Sequence, residues 1–397
     1  MKIKCVKNIQ HNPTGYKPFL VSKEISEEVK VYHESFGEYS ETALVSLDNL
    51  AIHLGIGKLY VKDESSRFQL NSFKVLGAAY AVGKAIAEKL NTDIKNLPFD
   101  VMKKRVKEEL GDIKLMATTD GNHGRGVAWM GKQLGLEVHI YMPNGTTKNR
   151  LNHILDQGAN GTITEMNYDD TVRWVAEEAK KKGMLVIQDT AWEGYEDVPL
   201  WIMQGYSTIA REVLNQLGDE VPTHVVLQAG VGAFAGVIAE VFYTHYKEAC
   251  PKIILVEAES ADCFYQSAIE GKKIIRSGDL TTIMAGLACG EPNPIAYDVL
   301  FSLVDSFVST PDWVAANGMR IMASPLQGDR KIISGESGAV SLGMIESILS
   351  DVQYTEMKDI LGLHKESRVL VFSTEGDTDK TVYQDVVWHG KFPKEVS

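Results

Sequence analysis

Apolar residues recur along the chain in two alternating rhythms. Val75, Ala79, Val82 and Ile86 fall at intervals of four, three and four, one face of a helix, so residues 72–90 are expected to form a helix opening just after Asn71. Short β-branched runs follow at 115–118, 138–142, 161–164 and 184–188. The helical patterns between them end at Gly135, Gly158 and Gly183, where left-handed caps are expected. Residues 200–217 read as another helix, and strands resume at 225–228, 253–257 and 369–372. Such alternation arises where helices cover a parallel sheet, so the fold class is α/β. The charged, proline-containing stretch 91–111 is expected to be a hinge. A parallel neighbour needs a crossover, so the chain before about residue 85 is expected to complete a larger sheet around an inserted smaller domain. Residues 1–85 with 200–397 would then be the large domain, and 86–199 the small one. Ligands of such sheets gather at the carboxyl ends of strands, so a cleft between two such units is the first place to look.

Composition narrows the function. Of 397 residues, 44% are apolar and 24% charged, the balance of a folded globular protein. With 41 basic and 53 acidic side chains the net charge is −12, which repels phosphate backbones and anionic lipids and disfavours nucleic-acid and membrane-surface roles. Residues 1–20 lack the apolar core of a signal peptide. The longest uncharged apolar stretch, 225–239, is shorter than the roughly 20 residues of a membrane span. A cytoplasmic protein is expected. Cys5, Cys250, Cys263 and Cys289 show neither metal-ligand spacing nor a disulfide framework, so they are expected to be structural thiols and no metal site is expected; a Cys263–Cys289 contact stays open.

Four segments carry candidate chemistry. Ala229-Gly-Val-Gly-Ala-Phe-Ala-Gly236 follows a strand and opens a helix, so the N–H groups around Ala229, Gly230, Val231, Gly232 and Ala233 can converge on a phosphate at the positive helix end. Dinucleotide binding competes, because Gly230, Gly232 and Ala235 match G-x-G-x-x-G/A and Glu257 ends the next strand where a ribose-binding acid is expected. A glycine turn serving packing alone is the third possibility. Lys74 lies in the first turn of a helix, where a cation opposes the dipole; an amine in a half-buried, electropositive setting gains the depressed pKa that Schiff-base chemistry needs. Asp120-Gly-Asn-His-Gly124 lies at another strand-to-helix junction, with Asp120 either a plain N-cap or part of a ligand surface. Finally, strand 369–372 runs into Ser373-Thr-Glu-Gly-Asp-Thr-Asp379, whose hard oxygens would suit either a metal or a solvated turn.

Together and in this order, the four segments resemble the fold-type II pyridoxal phosphate (PLP) enzymes, the tryptophan synthase β-subunit and threonine dehydratase superfamily, over most of the chain. The resemblance implies two three-layer α/β/α domains with mostly parallel sheets and PLP in the interdomain cleft. It implies that Lys74 of Ser72-Phe-Lys74 carries PLP as an internal aldimine and that Asn122 bonds the ring's phenolic oxygen. The glycine loop would hold the phosphate and Ser373 would face the pyridine nitrogen, where a serine favours elimination over transamination. Two departures stand out: Val231, Ala233 and Phe234 interrupt the glycine loop, and Asp120 replaces a serine or alanine.

Finer segments are similar to the diaminopropionate ammonia-lyase family. They are Ala117-Thr-Thr-Asp-Gly-Asn-His-Gly-Arg-Gly-Val-Ala-Trp129, Met166-Asn-Tyr-Asp-Asp-Thr-Val172, Gln188-Asp-Thr-Ala-Trp-Glu-Gly-Tyr195, Met284-Ala-Gly-Leu-Ala-Cys-Gly-Glu-Pro-Asn-Pro294 and Ile333-Ser-Gly-Glu-Ser-Gly-Ala339. That family is homodimeric and converts 2,3-diaminopropionate and water to pyruvate and two ammonia. Thr119, Asp120, His123, Asp189 and Glu193 are the expected substrate contacts, with Asp189 or Glu193 on the β-ammonium. Lys74 and Asp120 are the expected bases for the L- and D-isomers, whose Cα protons face opposite sides of the cofactor. Three alternatives stay open: a PLP-dependent serine or threonine dehydratase, an NAD(P)-dependent dehydrogenase, and a noncatalytic binding protein.

Overall fold

In the computed structural model, which describes residues 2–119 and 121–394 with the Asp169 side chain excepted, the chain forms two compact units. One holds the residues up to Ser22, Glu41–Ser66 and those from Ile209 onward; the other holds Lys23–Ser40 and Arg67–Thr208. In chain order the strands are β1 (Lys4–Lys7), β2 (Ala43–Ser46), β3 (Lys58–Asp63), β4 (Lys114–Thr118), β5 (Glu137–Met142), β6 (Asn160–Ile163), β7 (Leu185–Val186), β8 (His224–Gln228), β9 (Lys252–Ala258), β10 (Ser306–Thr310) and β11 (Arg368–Ser373).

In the first unit, seven strands among the described residues form one sheet in the order β1-β10-β9-β8-β11-β3-β2. The five central strands are parallel, and only the edge strands β1 and β2 run antiparallel to their neighbours. All five residues of β8 are buried, as are those of β10, because helices cover both faces of such a sheet.

In the second unit, β6-β5-β4-β7 form a wholly parallel sheet. Its most buried helix is Lys74–Lys89, in which glycine and alanine replace bulk. Neighbouring helices therefore meet it backbone to backbone. A Cβ on Gly205 of helix Asp197–Gly205 would lie 2.6 Å from the Leu76 carbonyl oxygen, and one on Gly126 of helix Asn122–Leu134 would lie 3.0 Å from Val75 Cα.

These packings explain why the boundaries differ from those expected. The chain before residue 85 does supply three strands of the larger sheet, but Lys23–Ser40 and the start of helix Lys74–Lys89 belong with β4–β7, as does the chain to Thr208. The helix expected over 200–217 is two helices, Asp197–Gly205 and Ser207–Leu217, which break at Tyr206. Nor is 91–111 a bare hinge. Pro98 N-caps helix Phe99–Arg105, a π turn follows at Val106–Leu110, and Phe99, Met102 and Val106 bury one helical face beneath the charged residues. Gly135, Gly158 and Gly183 have the expected left-handed φ of 73°, 80° and 64°.

Candidate active site

The unit built on β4–β7 brings an amine and a carboxylate together. Lys74 is the first residue of helix Lys74–Lys89, and its Nζ lies 3.2 Å from Asp189 Oδ2, both side chains being part-buried. The ammonium also lies 5.8 Å and 5.9 Å from the ring centroids of Phe73 and Tyr206. Burial pushes the Tyr206 phenol up to about 12 against the opposing charge of Lys74. Burial also pushes the Asp189 carboxyl up, yet His123 and Lys74 outweigh it and hold Asp189 below the usual aspartate value. The pair is therefore an ionised carboxylate holding an alkylammonium.

The loop after β4 shapes itself with its own hydroxyl. Thr119 Oγ1 accepts from the N–H groups of Gly121 (2.9 Å) and Gly124 (3.1 Å), so it braces the loop as well as being a candidate substrate contact. A Cβ on Gly124 would fall 2.2 Å from Thr119 Cγ2, so a glycine is needed for the helix to close on the strand end. Asn122 opens helix Asn122–Leu134. Asp120 lies outside the described residues. His123 is buried, with Nε2 2.8 Å from the Ile187 carbonyl oxygen; a carbonyl only accepts, so Nε2 carries the proton. The buried Nδ1 has no hydrogen-bond partner among the described residues. Glu193 is exposed, and among the described residues no hydrogen bond or ion pair joins it to this cluster. Two residues that sequence reasoning did not single out complete the group: Tyr168 and Gln188, whose side chains reach Asp189 Oδ1 at 3.5 Å and 3.4 Å. Their signal lay inside the quoted segments that begin at Met166 and Gln188.

The other unit holds the glycine loop and the serine. Ala229 to Gly232 link β8 to helix Ala233–Tyr246, whose first turn carries no acid and no side-chain cap. The loop is pinned where Ala229 N donates to the Val256 carbonyl (2.9 Å) and Asn293 N to the Val231 carbonyl (2.9 Å). Gly232 caps the helix at φ 91°. Glu257 is not available to a ribose: fully buried, it accepts from Phe264 N (2.9 Å) and Tyr265 N (2.7 Å) at the start of helix Cys263–Glu270. Burial pushes it up to about 8.

Ser373 ends β11 buried, its Oγ 2.8 Å from Ser334 Oγ. Gln228 at the end of β8 ties this corner together, donating to the Phe372 carbonyl (2.8 Å) and to Thr374 Oγ1 (3.0 Å). The acids beyond Ser373 serve as local acceptors: Glu375 takes Ser337 N (3.1 Å), and Asp379 N-caps helix Lys380–Val387. Among the described residues no group of three or more His, Cys, Asp or Glu could hold a metal. Cys263 Sγ meets the Cys289 carbonyl oxygen at 3.8 Å, and no disulfide joins them.

Residues 36–365 match the family of pyridoxal-phosphate dependent enzymes. The chain belongs to that family. This PLP-dependent enzyme is 45% identical over 385 residues to the diaminopropionate ammonia-lyase of Salmonella typhimurium, covering 95% of each chain. It is similar to a crystal structure of the Escherichia coli diaminopropionate ammonia-lyase in complex with an aminoacrylate-PLP azomethine reaction intermediate, with 44% identity, a TM-score of 0.91 and coverage of 99% and 98% of the two chains. The same E. coli enzyme in complex with D-serine matches with 44% identity and a TM-score of 0.92 over 98% of both chains. The fold is that of the fold-type II PLP enzymes, and the cofactor is pyridoxal 5'-phosphate. The residues present fit the group. An uncapped helix start without acids supplies N–H donors for a phosphate, Lys74 supplies a part-buried amine, and Ser373 supplies a buried hydroxyl at a strand's carboxyl end.

Proposed function

We propose that this PLP-dependent enzyme is a carbon–nitrogen lyase that converts 2,3-diaminopropionate and water to pyruvate and two ammonia by α,β-elimination. The observation that carries the substrate is the Asp189 carboxylate 3.2 Å from an alkylammonium, that of Lys74. With Lys74 engaged by the cofactor instead of Asp189, the substrate's β-ammonium would take its place beside the carboxylate and restore the pair. Serine or threonine brings a neutral hydroxyl and leaves the carboxylate unpaired, which disfavours a dehydratase. The similarity to the S. typhimurium and E. coli ammonia-lyases supports the same substrate.

PLP, when bound, supplies the electron sink that acidifies the substrate's Cα proton. Lys74 would attach it, Asn122 would bond its ring oxygen, the N–H groups from Gly230 to Ala233 would hold its phosphate, and Ser373 would offer its hydroxyl to the ring nitrogen; the expected Ala229 contact is corrected, because its N–H is already spent on the Val256 carbonyl. Thr119, Asp120 and His123 line the substrate, with Asp189 on the β-ammonium. Lys74, its amine freed when the substrate's α-amine takes its place, would accept the Cα proton from its own face and so serve the L-isomer, whereas Asp120 would serve the D-isomer from the opposite face. The D-serine complex of the E. coli enzyme supports access for D-amino acids. The β-ammonium group leaves as ammonia, taking the electron pair of its bond to Cβ. Water then releases the second ammonia from the three-carbon enamine and gives pyruvate. A cytoplasmic homodimer is part of the proposal, supported by the resemblance to the ammonia-lyases.

Pyruvate and ammonia released from diaminopropionate by the PLP-loaded enzyme test the proposal. Two ammonia per pyruvate are expected, and a preference for serine or threonine with one ammonia per pyruvate would overturn it.

A further inference from the structure

We infer that Tyr168 is a positioning residue that fixes the Asp189 carboxylate with Oδ2 toward an alkylammonium, and so sets the preference for a β-amine over a β-hydroxyl. The inference rests on the assignment of Asp189 to the substrate's β-ammonium.

Hydrogen-bond directions determine what Tyr168 does. Thr118 N, at the end of β4, can only donate, and it reaches Gln188 Oε1 at 2.9 Å. That fixes the amide, because the oxygen must face the backbone and the nitrogen must face the other way. Gln188 Nε2 accordingly donates to the Tyr168 hydroxyl at 2.9 Å. The phenolic oxygen accepts that bond and keeps its own proton to donate, with Asp189 Oδ1 at 3.5 Å and Thr190 Oγ1 at 3.4 Å both within reach. An ionised carboxylate is the stronger acceptor. Gln188 adds a second donor to the same oxygen at 3.4 Å. Asp189 Oδ1 thus has two neutral donors within reach, the Tyr168 hydroxyl at 3.5 Å and the Gln188 amide at 3.4 Å, while Oδ2 meets the ammonium.

The donors are themselves pinned. Gln188 N donates to the Tyr195 hydroxyl at 2.9 Å, which passes its proton to the Val186 carbonyl at 2.8 Å, and the Tyr195 ring stacks on Trp192 at 4.1 Å. Tyr168 is the first residue of helix Tyr168–Lys182, capped by Asn167. A rotating carboxylate would spread its charge over two positions, and a cationic group would lose most by that. A neutral hydroxyl would lose little. Tyr168 also gives the carboxylate a donor that remains when Lys74 is engaged elsewhere, which favours the ionised form.

The test compares Tyr168→Phe and Asp189→Asn with wild type. In PLP-loaded Tyr168→Phe, KM for diaminopropionate should rise about threefold, less than a full hydrogen bond to a charged group because the contact is long, with a smaller change in kcat. The ratio of kcat/KM for diaminopropionate over serine should fall by the same factor, and the acid limb of the diaminopropionate profile should move to higher pH. Without cofactor, 13C-carboxyl NMR of aspartate-labelled protein, with the Asp189 resonance assigned by its loss in Asp189→Asn, should show Asp189 titrating at higher pH in Tyr168→Phe. If Asp189→Asn leaves the substrate ratio unchanged, the assignment of Asp189 fails and the inference with it. If Asp189→Asn collapses the ratio while Tyr168→Phe alters neither KM nor the titration, the inference alone is overturned. If Tyr168→Phe instead weakens both substrates equally and lowers the melting midpoint, Tyr168 is structural and the inference is again overturned.

Discussion

Replacing Gly232 by alanine separates what the phosphate loop does for the fold from what it does for the cofactor. Gly232 caps helix Ala233–Tyr246 at φ 91°, ψ −4°, and a left-handed conformation costs a residue with a Cβ roughly 1–2 kcal/mol. The new methyl would also lie 2.6 Å from Phe264 Cζ and 2.9 Å from Leu300 Cδ1, an overpacking that costs about 1–3 kcal/mol. The cofactor-free protein should therefore lose about 2–5 kcal/mol, read by urea unfolding. PLP retention should fall further, by about tenfold or more, because the loop's N–H groups move with the strained backbone; absorbance titration reads this. Phe264→Leu removes the obstructing ring edge but not the strained φ. The double variant should therefore recover about 1–2 kcal/mol relative to the sum of the single changes, and no more. If cofactor-free Gly232→Ala stayed within about 0.5 kcal/mol of wild type, or if the two changes simply added, the assignment of this glycine to conformation and contact would be wrong.

Two further outcomes are specific to named groups. Burial raises Glu257 to about 8 from its ordinary 4.5, so the folded state binds a proton that the unfolded state has lost between those values; the contribution to stability is full below pH 4.5 and disappears as the pH rises through 8. The melting midpoint of Glu257→Gln relative to wild type should accordingly improve between pH 5 and pH 8, and a pH-independent difference would refute this. Asp120→Asn should lose activity on D-diaminopropionate by orders of magnitude while keeping most of its activity on the L-isomer and its PLP, as measured by steady-state kinetics with each isomer; an equal loss on both isomers would show that Asp120 is not the base for one face.

Much of this architecture is legible because parallel strands covered on both faces must be apolar throughout. The runs within β8, β9 and β11 show that directly. Strand β10 hides because hydroxyls interrupt its apolar residues, and burial is tolerated only because Ser309 Oγ donates to Asp262 (2.8 Å) and Thr310 Oγ1 to the Glu257 carbonyl (2.9 Å). The helix at Phe99–Arg105 hides for the opposite reason, its buried face being masked by the lysines and acids around it. In the site, the separation of Lys74 from Asp189 along the chain conceals their pairing, yet their residue types point to an amine and an ammonium partner. Glu257 shows the limit of spacing: it stands where a ribose acid would, but the helix that begins at Cys263 turns two N–H groups onto it. The same limit applies to Tyr168 and Gln188, whose meaning lies in hydrogen-bond direction.

On the proposed function Lys74 is the residue that holds the cofactor. Incubation with PLP should give an absorption band at roughly 410–420 nm, the signature of the cofactor joined to an amine, and sodium borohydride should bleach it and leave a stable adduct. Peptide mapping of the reduced protein should find that adduct on Lys74, and Lys74→Ala should show neither band nor adduct while keeping the wild-type circular dichroism. An adduct on any other lysine, or an undiminished band in Lys74→Ala, would show that Lys74 does not hold the cofactor.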